Sequence, residues 1–246
     1  MHVSMELSRI EYDRGFIATQ VRIAQATAPT WYPLEYERKR SEGQWEKMAS
    51  DKEKKKALRK ELLARRAALG SEMREAIDAR IVEGVLVLQQ YKDAIAVFAY
   101  ASFSDEIDTW RIIDRAWCDG KKVILPRVVP ETRRMRWFSV SSRDELSQSA
   151  WGIEEPSIDA SREIDAPAFS KENASLALVP ALAFDASCFR LGYGGGFYDA
   201  FLKDFGGYAL GLARHEFLFD ELPGIEAHDL PVDGVITELG LELSRA

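Results

Sequence analysis

One segment constrains the fold of this chain more than any other. An uncharged run from Leu176 to Phe184 is followed by Arg190, a glycine-dense loop and a stretch with helical character. Val, Leu and Ala packed together without charge are typical of a strand buried on both faces of a sheet. Glycines at positions 192, 194, 195 and 196 then let the backbone turn sharply. The segment therefore predicts a buried strand, a glycine loop and a helix that carries Asp199.

The glycine loop has the composition of a phosphate site. Where no Cβ atoms intervene, backbone N–H groups approach phosphate oxygens closely, and a following helix adds partial positive charge. Arg190 supplies a guanidinium fork before the loop, and Asp199 offers a hard oxygen of the kind that magnesium binds. These features favour Mg-ATP as the ligand. The spacing differs from Walker A, because no Gly-Lys-Ser/Thr follows, and it does not fit the dinucleotide fingerprint.

A second cationic element lies near the start of the chain, where Lys52–Arg66 reads KEKKKALRKELLARR. The pattern predicts an amphipathic helix, because apolar residues recur at helical spacing on one face: Leu58, Leu62, Leu63 and Leu69. Lys55 and Arg59 project one turn apart and can converge on a phosphate chain. For the other lysines we expect a solvated basic face.

Past residue 50 the sequence alternates between helical and extended patterns. Helices are predicted near residues 53–69, 71–91 and 106–118. Strands are predicted at residues 94–100, 122–125, 135–140, 176–183, 208–213 and 234–237, with an irregular stretch at 151–174. This alternation favours an α/β fold with a mainly parallel sheet and helices on both faces, giving three layers. Ligands of such folds bind beyond the carboxyl ends of the strands.

Residues 1–50 are treated as an N-terminal extension, and residues 51–246 as one α/β domain. The extension holds equal numbers of acidic and basic residues, no clear period and several aromatic residues. Residues 9–25 fit a short helix, and TWYPLEY at 30–36 fits an extended clip on the body or on another subunit. The sequence does not choose between these alternatives.

Composition narrows the class of protein further. The net charge of −7 argues against a general nucleic-acid binder. No apolar stretch reaches the length of a membrane span, and the N-terminus lacks a signal-peptide apolar core, so we expect a cytoplasmic protein without membrane partners. Cys118 and Cys188 are too few for a disulfide scaffold, and the histidines are too scattered for a zinc site.

The string RLGYGGGFYD, with VPALAFD before it and EAHDLPVDGVITE after it, resembles the 5-formyltetrahydrofolate cyclo-ligase family, also called 5,10-methenyltetrahydrofolate synthetases. The resemblance runs from Lys55 to Glu238. It includes the Lys55 and Arg59 pair, DEIDT at 105–109, LPRV at 125–128 and WGIEEP at 151–156. It implies an ATP- and magnesium-dependent closure of 5-formyltetrahydrofolate to 5,10-methenyltetrahydrofolate, with ADP and phosphate released.

The same resemblance implies roles for particular residues. The catalytic cations are Lys55, Arg59 and Arg190, and the metal ligands are Asp199 and Asp229. The ATP contacts are Lys55, Lys56, Ala57, Leu58, Arg59, Arg190, Leu191, Gly192, Tyr193, Gly194, Gly195, Gly196, Phe197 and Tyr198. The folate contacts are Ala101, Glu106, Trp151, Tyr193, Gly194, Gly195, Gly196 and Phe197.

Local sequence offers other interpretations of four of these residues. Asp229 fits a turn before Leu-Pro, and Glu106 fits an acidic residue near the N-terminus of the 106–118 helix. Phe197 and Trp151 fit core residues. Each residue therefore has a structural interpretation beside the functional one.

Two positions depart from the family pattern. Cys188 stands where the family usually places glycine, so either the local backbone differs there or a positive φ imposes strain. Phe217 stands where many relatives have glutamine. Neither departure removes a proposed phosphate or metal ligand.

Alternatives to the enzyme are a non-catalytic nucleotide- or folate-binding protein on the same scaffold and an RNA-binding protein that uses the basic helix. The expected partner is a small-molecule folate, with or without additional glutamates, and not a nucleic acid. The expected state is a monomer or weak homodimer.

Overall fold

The protein is described here by a computed structural model that covers residues 50–149 and 152–243. The predictions for residues 1–49 and for Trp151 lie outside these ranges. The helices are α1 (Asp51–Ala68), α2 (Ser71–Val87), α3 (Gln89–Asp93), α4 (Trp110–Cys118), α5 (Ala166–Glu172) and α6 (Phe197–Leu202), with 3-10 turns at Arg143–Glu145 and His215–Phe217. Among the helices of the described ranges, none combines the length and apolar character needed to cross a membrane.

The strands, in chain order, form a large sheet and two small ones. They are β1 (Ala96–Phe98), β2 (Lys122–Val128), β3 (Met135–Val140), β4 (Leu146–Gln148), β5 (Glu154–Pro156), β6 (Glu163–Ile164), β7 (Ser175–Val179), β8 (Ala183–Asp185), β9 (Arg190–Leu191), β10 (Tyr208–Leu212), β11 (Leu218–Phe219), β12 (Gly234–Thr237) and β13 (Gly240–Leu243).

The large sheet has eight strands in the order β13-β12-β10-β7-β1-β2-β3-β6. From β12 to β2 every neighbouring pair is parallel, and Val97 of β1 lies opposite Val123 on one side and Leu176 on the other. Antiparallel strands complete both ends of the sheet. The mainly parallel α/β fold predicted from the sequence is confirmed.

Each face of this sheet has its own hydrophobic core, because side chains alternate along each strand. Val97 points to the face covered by α2 and α4, where it packs with Ile81 and Ile112. Phe98 points to the opposite face and packs with Phe201 of α6. The chain therefore has the expected three layers, with a helical layer on each side of the sheet.

An aromatic cluster fixes α6, the helix that follows the glycine loop. The ring centroids of Trp137 and Phe201 lie 4.4 Å apart, and those of Phe201 and Phe205 lie 4.8 Å apart. Phe98 meets Trp137 edge to face at 5.3 Å. Aromatic pairs at these distances add specific geometry to their buried area, so α6 has a defined seat on the sheet.

Helix α1 packs on a separate small sheet of three strands, in the order β11-β8-β9. Leu58 and Leu62 are fully buried against Leu182, Leu191 and Phe217. Ser50 is the N-cap residue of α1: its Oγ accepts from the Glu53 N–H at 3.3 Å and donates to the Glu53 carboxylate at 2.8 Å. The Ser50 hydroxyl thereby satisfies one N–H group at the start of the helix.

The buried face of α1 differs from the predicted one in two positions. Leu63 is 41% exposed, whereas Arg66, four residues after Leu62, is buried at 3% exposure. The side chains that α1 buries are spaced four residues apart: Leu58, Leu62 and Arg66. Counting leucines alone missed this stripe, because its last position is an arginine.

The uncharged run from Leu176 to Phe184 is not one strand, which corrects the prediction. β7 ends at Val179, and β8 belongs to the small sheet. Pro180 between them has no N–H with which to continue a ladder. The Arg66 guanidinium donates to two carbonyl oxygens just after this proline, those of Ala181 and Leu182.

Two helix predictions also need correction. The predicted 71–91 helix is interrupted at Leu88, which has an extended backbone with ψ of 141°. The predicted 106–118 helix begins only at Trp110, because Thr109 and Ser102 exchange hydrogen bonds of 3.2 Å between side chain and backbone N–H. Such local bonds compete with helix formation. Glu106 therefore lies on a loop.

The stretch at 151–174, predicted to be irregular, contains β5, β6 and α5. Asp165 caps α5 by accepting from the Ala168 N–H at 3.1 Å, and Pro167 lies in its first turn. Both residues are start signals for a helix that the sequence reading overlooked.

The docking of α1 yields a prediction on stability. Leu62→Ala should lower the free energy of unfolding by about 2–5 kcal/mol, because it leaves a cavity between α1 and the small sheet. Leu63→Ala, the matched control on the exposed face, should change it by less than about 0.5 kcal/mol. Urea unfolding measures both. Equal losses in the two variants would contradict the placement of α1.

Candidate active site

The predicted basic helix and the predicted glycine loop meet in the structure. Arg59 Nε donates to the Gly192 carbonyl oxygen at 2.8 Å. A Cβ atom placed on Gly194 would lie 3.6 Å from the Arg59 guanidinium carbon. The segments are more than 130 positions apart in sequence, and the packing of Leu58 and Leu62 brings them together. Arg59 therefore contacts the loop that the sequence predicts to be a phosphate site, and Lys55 lies one turn before it on α1.

The glycine loop uses its glycines for conformation and for close approach. Gly194 and Gly196 have φ of +100° and +70°, in the left-handed region that favours glycine. At Gly195 a Cβ atom would lie 2.6 Å from the Phe197 ring. Side chains at these positions would strain the backbone or displace the ring. The loop thus keeps its backbone uncovered beside Arg59.

Arg190 is the buried centre of the site. Its side chain is 5% exposed and donates to Asp199 Oδ1 at 2.5 Å and to the Leu230 carbonyl oxygen at 2.6 Å. Burial lowers the pKa of Arg190, and the negative charges of Asp199 and Asp229 oppose that shift. Arg190 therefore links the start of α6 to the segment that carries Asp229.

Asp229 binds the other cation of the site. Lys55 Nζ lies 2.9 Å from Asp229 Oδ2, and the same oxygen accepts from the Glu226 N–H at 2.9 Å. Burial alone would raise the pKa of Asp229, but the Glu226 N–H and the Lys55 ammonium outweigh it and leave the pKa lowered. Asp229 is thus both a turn residue and a charged partner of Lys55.

The carboxylates fit magnesium in one particular way. Within the described ranges no group of three or more His, Cys, Asp or Glu side chains could hold a metal ion. The charges of Asp199 and Asp229 both act on Arg190, and the pair offers a metal two carboxylate groups. Magnesium commonly takes one or two protein carboxylates and completes its shell with phosphate oxygens and water. The donor set fits a metal that arrives with a nucleotide.

A second group of polar and charged residues surrounds Glu106. Its Oε2 accepts from the Phe103 N–H at 3.0 Å. Burial raises the pKa of Glu106, while the Phe103 N–H, Arg66 and Tyr193 lower it only in part. Tyr193 is 52% exposed, but its hydroxyl end lies beside Glu106 and Arg66. Burial and the Glu106 charge raise the pKa of Tyr193 to about 12.

The remaining predicted residues have varied surroundings. Lys56 is exposed on α1, and Ala57 packs at the edge of the core. Leu58 and Leu191 are buried, so their side chains serve packing. Ala101 is buried in the loop after β1, and Tyr198 packs against Phe201 at 6.1 Å. Phe197 lies over Gly195 and is only partly buried.

Three charged residues at the site were missed by sequence reasoning: Arg66, Asp78 and Arg214. Arg66 could have been found, because it lies seven residues after Arg59 on the same helix face. Its Nε has no hydrogen-bond partner among the described residues. Arg214 is 1% exposed and pairs with Asp78, 136 positions away. That pairing leaves no local signal.

The two departures from the family pattern have structural counterparts. Cys188 has φ of +62°, so of the two alternatives the structure has the positive φ. For a residue with a Cβ atom this conformation costs about 1 kcal/mol. The ring of Phe217 is fully buried, and the guanidinium carbons of Arg65 and Arg66 lie 5.1 Å and 5.3 Å from its centroid. Phe217 thereby supports the buried face of α1 through cation–π contacts.

The fold and site define a class: an α/β protein with a candidate phosphate site at strand ends. The sequence profile of the 5-formyltetrahydrofolate cyclo-ligase family matches residues 51–238. The mouse 5-formyltetrahydrofolate cyclo-ligase is 30% identical over 193 residues, which cover 75% of this chain and 93% of the mouse protein. The Escherichia coli K12 cyclo-ligase is 30% identical over 177 residues, covering 70% and 94%.

Comparison with solved structures identifies the same fold. The NMR structure of Aquifex aeolicus 5,10-methenyltetrahydrofolate synthetase matches with a TM-score of 0.67 and 30% identity, covering 78% of this chain and 93% of that one. A Mycoplasma pneumoniae synthetase, 19% identical with a TM-score of 0.59, shares the fold. The chain belongs to the 5-formyltetrahydrofolate cyclo-ligase family, and the protein is an enzyme of that ligase class.

The burial of Glu106 predicts a pH-dependent stability. Since the folded-state pKa is raised, the ionised carboxylate costs stability once the pH exceeds the unfolded value of about 4.3. Glu106→Gln should therefore melt at a higher temperature relative to wild type at pH 7 than at pH 4. Glu83→Gln, on the exposed face of α2, is the matched control. A Glu106→Gln difference that stays constant across this range would contradict the burial.

Proposed function

We propose that the protein catalyses the ATP- and magnesium-dependent cyclisation of 5-formyltetrahydrofolate to 5,10-methenyltetrahydrofolate, with release of ADP and phosphate. One observation carries this proposal: Arg59 of α1 is hydrogen-bonded to the glycine loop, beside buried Arg190 and the Lys55–Asp229 pair. Membership of the cyclo-ligase family gives the reaction class. The cations Lys55, Arg59 and Arg190 would bind the negatively charged phosphates of ATP.

The chemistry requires activation of the formyl group, because its oxygen is a poor leaving group. In the proposed reaction that oxygen attacks the γ-phosphorus of ATP, the bond from this phosphorus to the bridging oxygen breaks, and ADP leaves. The second folate nitrogen then attacks the formyl carbon, loses its proton and closes the ring, and the phosphorylated oxygen departs as phosphate. Both steps move negative charge, so catalysis depends mainly on positioning and charge neutralisation.

The cations of the site divide this task by their surroundings. Arg190 is held rigidly by Asp199 and the Leu230 carbonyl, so it presents a fixed charge beneath the loop. Lys55 and Arg59 lie one turn apart on α1, where Lys55 pairs with Asp229 and Arg59 donates to the Gly192 carbonyl oxygen. Asp199 and Asp229 would hold magnesium, which when bound neutralises phosphate charge.

The folate would bind on the side of the loop that faces Glu106. The carboxylate of Glu106 accepts hydrogen bonds and so suits the amide-like donors of a pterin ring. Tyr193 and Phe197 offer aromatic faces for a flat heterocycle. Gly194, Gly195 and Gly196 leave space between these rings and the phosphate side, and Ala101 lies in the loop that carries Glu106. Trp151 remains a predicted folate contact.

Several finer points stay predictions from the sequence. They are a cytoplasmic location, a monomer or weak homodimer, acceptance of polyglutamylated folates and the division into a 1–50 extension and a 51–246 domain.

The absorbance of methenyltetrahydrofolate tests the proposed reaction. Wild-type protein should form this product only when 5-formyltetrahydrofolate, ATP and magnesium are all present. Binding of Mg-ATP, seen as a higher melting temperature, without product would instead support a non-catalytic binding protein.

The metal assignment has its own test. Asp199→Asn should lower magnesium-dependent turnover by about a hundredfold or more, because it removes a carboxylate that would hold the magnesium ion that neutralises the transferred phosphate. Asp204→Asn, an exposed carboxylate just beyond α6, should retain wild-type turnover. Thermal melting checks that both variants fold. Full magnesium-dependent activity in a folded Asp199→Asn protein would sink the assignment.

The contact of Arg59 with the glycine loop predicts that two neighbouring cations of α1 differ in their effect on the KM for ATP. Arg59→Ala should raise the KM for ATP by about tenfold to a hundredfold, as expected for a charge-assisted hydrogen bond of about 1.5–3 kcal/mol. Lys60→Ala, the adjacent exposed cation, should leave this KM within about twofold of wild type. Steady-state kinetics at saturating folate measure both. A similar rise in the two variants would point to the general charge of the helix.

A further inference from the structure

Arg214 is a fully buried charge that the proposed reaction does not use. It follows β10 and is 1% exposed. Its Nε donates to Asp78 Oδ1 at 2.8 Å, and a terminal nitrogen donates to Asp78 Oδ2 at 2.9 Å. This is a two-pronged guanidinium–carboxylate pair, the geometry with the strongest directional preference among ion pairs.

Both members of this pair also bind the loop that carries Glu106. The terminal nitrogens of Arg214 donate to the carbonyl oxygens of Asp105 at 3.0 Å and Glu106 at 3.4 Å. Asp78 Oδ2 accepts from the Asp108 N–H at 3.2 Å. Three of the four residues from 105 to 108 are therefore bonded through a backbone group to one buried ion pair.

The loop has other reasons to need such a tie. It contains no regular secondary structure between β1 and α4, and Ser104 adopts a φ of +59° that a side chain disfavours. Ser102 and Thr109 close its two ends through reciprocal hydrogen bonds. The Glu106 N–H donates to the Phe103 carbonyl oxygen at 3.2 Å, and the carbonyl oxygens of Asp105 and Glu106 are held by Arg214.

Energetics make stability alone a weak reason for this arrangement. Taking two charges out of water is expensive, and well-packed apolar residues often stabilise a core equally well. What apolar residues cannot supply is donors and an acceptor for the backbone of residues 105–108. The specific product of the pair is thus one fixed conformation of the loop.

We propose that Asp78 and Arg214 are positioning residues that hold the 105–108 backbone so that the Glu106 carboxylate faces Tyr193 and the glycine loop. The assignment rests on the proposed function, because it gives the pair its value through the folate that Glu106 would bind. The pair and Glu106 line one cleft, at the junction of α2, the loop and β10. Loss of the pair should weaken folate binding and spare ATP binding.

The decisive variant is the double substitution Asp78→Leu with Arg214→Met, which removes both charges together. It should fold, since no unpaired charge is left buried. The KM for 5-formyltetrahydrofolate should rise about tenfold or more, whereas the KM for ATP should stay within about twofold. Amide hydrogen exchange of residues 103–109, measured without any ligand, should become at least about tenfold faster.

A matched control removes another ion pair from the same protein. Glu145→Leu with Arg162→Met deletes a partly buried pair near β4, and it should change neither the folate KM nor exchange in the 103–109 loop. If the Asp78→Leu/Arg214→Met protein folds with wild-type folate KM and wild-type loop exchange, the pair is only structural and the proposal is wrong.

Conservative variants cover the case in which the double variant does not fold. Arg214→Lys keeps the charge but has one nitrogen for four acceptors, and Asp78→Asn keeps the shape but weakens the pair. Each should show faster loop exchange with a selective rise in folate KM; wild-type values in both would overturn the proposal. If the wild-type protein shows no turnover, the cyclo-ligase reaction is contradicted. Amide exchange of residues 103–109 would still test whether the Asp78–Arg214 pair holds the loop.

Discussion

The docking of α1 on the three-stranded sheet is the interaction on which the candidate site depends. Leu58 and Leu62 give the helix its seat, and Arg66 completes it by binding the carbonyl groups freed around Pro180. Because this packing is specific, Arg59 reaches the glycine loop and Lys55 reaches Asp229 from a helix that is remote in sequence. Without it the site would retain Arg190 but lose the other two of its three predicted catalytic cations.

Electrostatic order is the second constraint. Arg190, Asp199, Asp229 and Lys55 form an alternating series of charges in which each buried group has an opposite neighbour. This arrangement offsets the desolvation of the cations. It also suits the proposed ligand, since Mg-ATP would bring a cation for the carboxylates and phosphates for Lys55 and Arg59. The same logic recurs at Asp78 and Arg214, where the carbonyl groups of a loop replace the ligand.

Prediction from sequence worked where one local signal was strong. The alternating pattern indicated the parallel sheet with its helical layers. Cys188 in a glycine position left two alternatives for the local backbone, of which the positive φ is observed. Prediction failed where side chains competed with the backbone. Thr109 and Ser102 delay the start of α4, and Pro180 with Arg66 divides the run after Leu176 between two sheets. Such competition depends on groups that meet only in the folded chain.

The sequence by itself determined the fold class, the glycine loop and the residue types of a phosphate site, because strand periodicity, glycine content and charge are local properties. Tertiary structure alone decided which charges meet. Three contacts join residues more than 100 positions apart: Lys55 with Asp229, Arg66 with Ala181, and Arg214 with the Asp105 carbonyl oxygen in the Glu106 loop. The physical reason is packing: the position of each charge is set by the helices and strands that carry it.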